Sequence, residues 1–187
     1  MKNQFKTIAA SLLFISLMSI LSPVQAQRAP GIRYSAGVEG GLPISNLSDN
    51  YTWSLGGSIQ ADIPLLKQDL YLTFNAGFYN LFTDSKTSGV VEDIQLIPVK
   101  AGLKYFPVVN FYIQGEAGVS FLLNDSPIAD KSASFTWAPQ VGYLIPVGAK
   151  SYIDAGFRYE GNSKFYEAGK SNGFLGLRVA YAFPIEK

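Results

Sequence analysis

Ile97-Pro98-Val99-Lys100-Ala101-Gly102-Leu103-Lys104-Tyr105 and, one Pro107-marked link later, Phe111-Tyr112-Ile113-Gln114-Gly115-Glu116-Ala117-Gly118-Val119-Ser120-Phe121 decide how this chain folds. In both runs every charged residue falls on one parity, while the other parity holds only small, aliphatic or aromatic side chains. Successive side chains of a strand point to opposite faces, so these runs read as two strands, each with one polar and one apolar face. The same period of two recurs over 32–42, 53–63, 70–79, 135–145, 153–160 and 175–183, for a total of eight predicted strands.

The links between them alternate in length. Longer polar stretches, 43–52, 83–89, 124–132 and 161–172, follow the odd strands, and tight links marked by Pro or Gly, 64–69, 107–110 and 146–150, follow the even ones. All the long loops therefore lie at one end and both termini at the other. The chain is expected to form an all-β, eight-stranded antiparallel up-and-down barrel.

Which parity faces inward separates two opposite proteins. A soluble, lipocalin-like binder of an apolar ligand points its apolar residues inward, whereas a transmembrane β-barrel points them at lipid. Here the polar parity carries Arg33, Lys100, Lys104, Arg158 and Arg178 against Glu39, Asp62, Glu116, Asp154 and Glu160. Such a balance suits a closed interior, because an unpaired buried charge costs several kcal/mol. The apolar parity carries aromatics at both ends of the strands. Trp53, Phe78, Phe121, Phe135, Trp137 and Tyr159 fall toward the long loops, and Tyr34, Tyr105, Phe111, Tyr143, Tyr181 and Phe183 toward the tight links. Between them lie small and aliphatic residues such as Ala36, Val38, Ile59, Ala101, Ala117 and Val179. Two aromatic girdles around an aliphatic band match a bilayer with two interfaces. Spanning segments of about 9 to 11 residues are expected.

The N-terminus carries an export signal. Lys2 and Lys6 precede an apolar run from Ile8 to Leu21, followed by Pro23 and Val24-Gln25-Ala26. A basic start, an apolar run and small residues at −3 and −1 predict a signal peptide over 1–26, removed after Ala26, with the barrel domain over 27–187.

Composition narrows the function. The 187 residues are 48% hydrophobic, 14% aromatic and only 16% charged, with no Cys and no His. Disulfides, thiolate metal sites and Cys nucleophiles are excluded, as is the commonest general base. A formal charge of +1 offers no basic surplus for a nucleic-acid partner. Asp154 and Glu160 share a strand and a parity with Arg158, so they read as ion-pair partners rather than a catalytic carboxylate pair. No enzymatic activity, cofactor or metal site is expected. Asn124, Asp125 and Asp130 fall in one loop but lack the ligand number and Gly spacing of a calcium loop. Lys164, Phe165, Tyr166, Glu167 and Lys170 form the tip of the longest loop, read as a hairpin tip over the barrel mouth that offers a surface for an unidentified ligand. Asn46-Leu47-Ser48 and Asn50-Tyr51-Thr52 match glycosylation sequons by chance.

The 97–106 and 111–118 runs, together with Tyr152-Ile153-Asp154-Ala155-Gly156-Phe157-Arg158-Tyr159 and 173–183, resemble the central hairpin and the last two strands of small porin-like outer-membrane β-barrel proteins. The resemblance spans most of the mature chain and is architectural. Gly176, Val179, Tyr181 and Phe183 are similar to the C-terminal signal that outer-membrane assembly machinery reads, although Pro184-Ile185-Glu186-Lys187 follows the aromatic that is usually last. It implies an outer-membrane location, with membrane lipids and that machinery as partners. Eight strands enclose an interior that side chains can fill. The expected role is thus structural or surface-interacting, the ten lumen charges forming an ion-paired packing core; a narrow porin-like channel or transport facilitator is the alternative.

Overall fold

The computed structural model describes residues 31–44, 48, 51–66, 69–83, 93–124, 133–163 and 172–184. They form eight strands: β1 (Arg33–Ile44), β2 (Tyr51–Leu66), β3 (Leu70–Thr83), β4 (Ile94–Tyr105), β5 (Phe111–Leu122), β6 (Ala133–Pro146), β7 (Tyr152–Asn162) and β8 (Asn172–Pro184). Each pairs antiparallel with its sequence neighbours, and β1 pairs with β8 from Arg33↔Pro184 to Ile44↔Gly173, so the sheet closes and leaves no free edge. Closure satisfies the backbone groups that lipid could not. The predicted signal segment, 1–26, lies outside the described residues.

Alternation sets the two faces. Val38 is 64% exposed and its neighbour Glu39 only 4%; Ile59 is 64% exposed and Gln60 3%. All ten charged residues of the polar parity are buried in the lumen, and large apolar side chains, from Leu42 and Leu55 to Leu177 and Val179, cover the outside. This is a transmembrane barrel, inside out relative to a soluble one. Trp53, Phe78, Phe121, Phe135, Trp137, Tyr105 and Tyr181 are exposed on the outer wall, while Tyr34, Phe111, Tyr143, Tyr159 and Phe183 are half-buried there. Some girdle rings pack against a neighbouring ring: Trp53 stacks on Phe82, beside it on β3, with centroids 4.2 Å apart, and Trp137 meets Tyr159 at 5.0 Å. On β5 the girdles are ten residues apart, Phe111 to Phe121. At about 3.4 Å per residue and a tilt of roughly 40° that is about 26 Å, the height of the apolar band of such barrels.

Seven of the eight strands run from 12 to 16 residues, longer than the expected spanning segments, and β7 has 11. Pairing continues past the girdles wherever backbone partners remain. At the top of β2 a register shift between Tyr51 and Trp53 changes the parity. A bulge adds a residue and re-aims the side chain: Tyr51 turns into the lumen at 7% exposure although Trp53, two residues on, faces out.

Candidate functional site

The lumen is stacked in three tiers. At the short-turn end the rings of Tyr71, Phe106, Tyr112 and Tyr152 pack with Leu144 and Ala182 into an apolar plug. The Arg33 guanidinium sits among them, 5.0 Å from the Tyr71 centroid, 5.6 Å from Tyr152 and 5.7 Å from Phe106. At the long-loop end a second plug of Tyr51, Tyr79, Leu81 and Leu96 is flanked by Ile94 and Leu122. The charges lie between.

They form one alternating chain. Asp62 accepts from the Lys104 ammonium at 2.9 Å, Lys104 reaches Asp154 at 3.3 Å, and Asp154 meets Arg178 at 3.4 Å. Arg178 continues to Glu39 at 3.3 Å and Glu39 to Arg158, which lies 3.4 Å from Glu160. Glu160 ends the run on Lys100 at 2.5 Å. Four acids and four bases thus alternate without a break across β2, β4, β7, β8 and β1. A buried charge needs a partner and further hydrogen bonds to be tolerated, and the neutral lumen side chains supply them. Gln60 donates to Asp62 at 2.6 Å, Tyr112 to Asp154 at 2.5 Å and Tyr79 to Glu39 at 2.6 Å. Arg178 donates to Ser58 at 3.0 Å and Ser35 at 2.9 Å. Gln140 donates to the Tyr112 oxygen at 2.6 Å, and the Lys104 ammonium lies 4.4 Å from the Tyr112 ring centroid. Tyr112 can lie flat across the wall because Gly142 opposes it: a Cβ there would collide with the ring.

Two of the ten expected network members stand apart. Glu116 has no cation within 4.0 Å among the described residues; its Oε1 accepts from Thr73 at 3.1 Å. Arg33 has no carboxylate partner among the described residues either and is held by the three rings. The even charge count is a property of the whole lumen, but ion pairing needs side chains of matching height, and these two lie off the chain. Sequence reasoning did not single out Tyr112, Tyr79 or the Gln60, Gln114 and Gln140 amides as site residues. All share the charged parity on their strands, and that signal was enough to find them.

At the long-loop rim the β3–β4 and β5–β6 loop bases are clasped together. Asp93 accepts from the Thr83 backbone at 2.9 Å, the Thr83 hydroxyl at 3.0 Å and the Asn80 amide at 3.1 Å. The Thr83 N–H, aided by the Asn80 and Thr83 side chains and opposed by partial desolvation, holds this carboxyl below its ordinary value. The Asn124 amide bonds the Gln95 N–H at 3.0 Å and the Asp93 carbonyl, so it serves the backbone. Asp125, Asp130 and the 164–170 tip lie outside the described residues. On β8, Val179 and Tyr181 are exposed on the outer wall and Phe183 is half-buried there, whereas Gly176 faces the lumen beside Arg158.

No family model matches the chain, and no curated protein matches it. Solved structures do. The barrel is similar to Neisserial surface protein A, with a TM-score of 0.61 and 18% identity over 83% of this chain and 97% of that one. It is also similar to the outer membrane protein OprG from Pseudomonas aeruginosa, at 0.56 and 9% over 87% and 99%. The outer membrane protein AlkL aligns at 0.53 and 13% over 86% and 92%. The fold is that of the small eight-stranded outer-membrane barrels. Eight-stranded outer-membrane barrels have an interior narrow enough for side chains to fill.

Proposed function

We propose that this chain works in the outer membrane as a structural or surface-interacting barrel whose interior is closed. The observation that carries this reading is the unbroken chain of eight charges held between two apolar plugs. Each charge is tied to one or two neighbours, so opening a path means separating buried ion pairs at several kcal/mol apiece. No catalytic step, cofactor or metal enters this reading. The signal over 1–26 would deliver the chain for export, and Val179, Tyr181 and Phe183 would offer the assembly machinery its terminal apolar stripe. A lipocalin-like role requires an apolar interior, and the lumen is charged.

One observation favours a narrow channel or facilitator as second reading. Glu116 Oε2, Glu160 Oε1 and Arg158 Nε and Nη1 are buried without a hydrogen-bond partner, which leaves the chain room to exchange pairings. Planar-bilayer recording of the refolded protein separates the two. A closed barrel gives no stable single-channel steps; large, long-lived steps would overturn the structural reading in favour of transport.

A further inference from the structure

The tight links share a feature that the lumen does not explain. Of the short turns, the second and third are described in full, and each follows a proline with an exposed aliphatic residue, Pro107-Val108 and Pro146-Val147; Pro64-Leu65 stands within the last residues of β2. Leu65 is 48% exposed, Val108 61% and Val147 54%, and Val109 adds 59% beside Val108. β8 ends the same way in sequence, Pro184-Ile185. Proline has no N–H and is confined to strand ends and bulges; Pro146 ends β6 and the register shifts just after Pro64, which explains its place. It does not explain the aliphatic residue, since turns exposed to water favour Gly, Asn, Asp and Ser.

We infer that these turn tips are a lipid-contacting surface, seated in the headgroup layer of the leaflet at the short-turn end. The tips continue the outer wall without a polar break: Tyr105 and Ile145, both exposed to lipid, precede the second and third turns. Val108 and Val109 precede Phe111, at the girdle level, by three and two residues, which at about 2.6 Å of height per tilted residue places them at most about 8 Å beyond it. A headgroup layer is about 5 to 8 Å deep on each side. The tips therefore reach its depth and stop. The occupant of this apolar rim is phospholipid.

This inference rests on the bilayer-spanning reading, and the test separates the two. The native chain carries Trp53 and Trp137 on its outer wall, so quenching of its fluorescence in phosphatidylcholine vesicles brominated on the acyl chains reports the spanning barrel. A Trp53→Phe, Trp137→Phe, Val108→Trp chain then reports the second turn, and the same background with Val147→Trp the third. Heat-modifiable gel mobility confirms folding of each. Expected are a blue-shifted emission, quenching by lipid brominated near the carbonyl end of the chains, weaker quenching near the methyl end, and little quenching by aqueous iodide. Water-like emission quenched by iodide alone would overturn the inference while leaving the barrel in place. So would shielding from both quenchers, which would mean that a second copy or another protein covers the rim. Loss of lipid quenching in the native chain would instead strike the spanning reading.

Discussion

Replacing Lys104 by Met tests whether the lumen chain is held by pairing. The Lys104 side chain is fully buried and lies 2.9 Å from Asp62 and 3.3 Å from Asp154. At an effective dielectric of about 20 these contacts are worth ~6 and ~5 kcal/mol gross. Desolvation of the ammonium offsets much of that, but deleting the base returns little, because two buried carboxylates stay behind. Asp154 keeps Arg178 and Tyr112; Asp62 keeps only the Gln60 amide among the described contacts. A loss of about 3 to 5 kcal/mol is expected, the range for breaking a buried pair from one side. Adding Asp62→Leu should recover at least half of it, since the orphaned acid is then gone. Equilibrium urea unfolding from vesicles, followed by Trp53 and Trp137 fluorescence, measures both. A single-variant loss under about 1 kcal/mol, or a double variant less stable than the single, would refute the reasoning.

Arg33→Leu should cost less than Lys104→Met in the same assay, on the order of 2 kcal/mol, because among the described residues its partners are rings and not carboxylates. Ala117→Arg, on the lipid-facing wall opposite Ala101 and Trp137, should cost about 2 to 4 kcal/mol of refolding free energy; unaffected refolding would show that this face does not meet lipid. The Asp93 clasp should hold the loop bases above the ordinary carboxylate pKa of about 3.9 and release them as pH falls through the lower folded value, because a carboxyl depressed by folding stabilises only while ionised. Protection of the Thr83 amide from hydrogen exchange, relative to its intrinsic rate at each pH, should fall at low pH, and Asp93→Asn should flatten that dependence.

Much of the architecture was legible because one rule, alternation, governs nearly every position. Between Arg33 and Phe183 the described strands keep the faces their parity assigns, and strand count, loop alternation and the outward aromatics follow from that. The exceptions have local causes. Tyr51 entered the lumen through a bulge, an inserted residue that parity cannot anticipate. Seven strands outran the expected span because backbone pairing, unlike lipid contact, does not end at the girdle. The candidate site was legible as a set of ten charges and not as a structure. Which acid meets which base depends on the stagger of the strands: Lys100 and Glu160 are 60 residues apart and on opposite sides of no hairpin, yet they touch at 2.5 Å.

The sequence by itself thus determined a two-faced, eight-stranded barrel with a charged interior, because hydrophobic period and loop length are local properties written residue by residue. Only the tertiary structure decided that eight charges form one chain, that Arg33 rests among rings and Glu116 beside Thr73, and that clusters of rings and aliphatic side chains lie at both ends of that chain. Those contacts depend on closure and register, which bring to one height in the lumen residues that no local pattern relates.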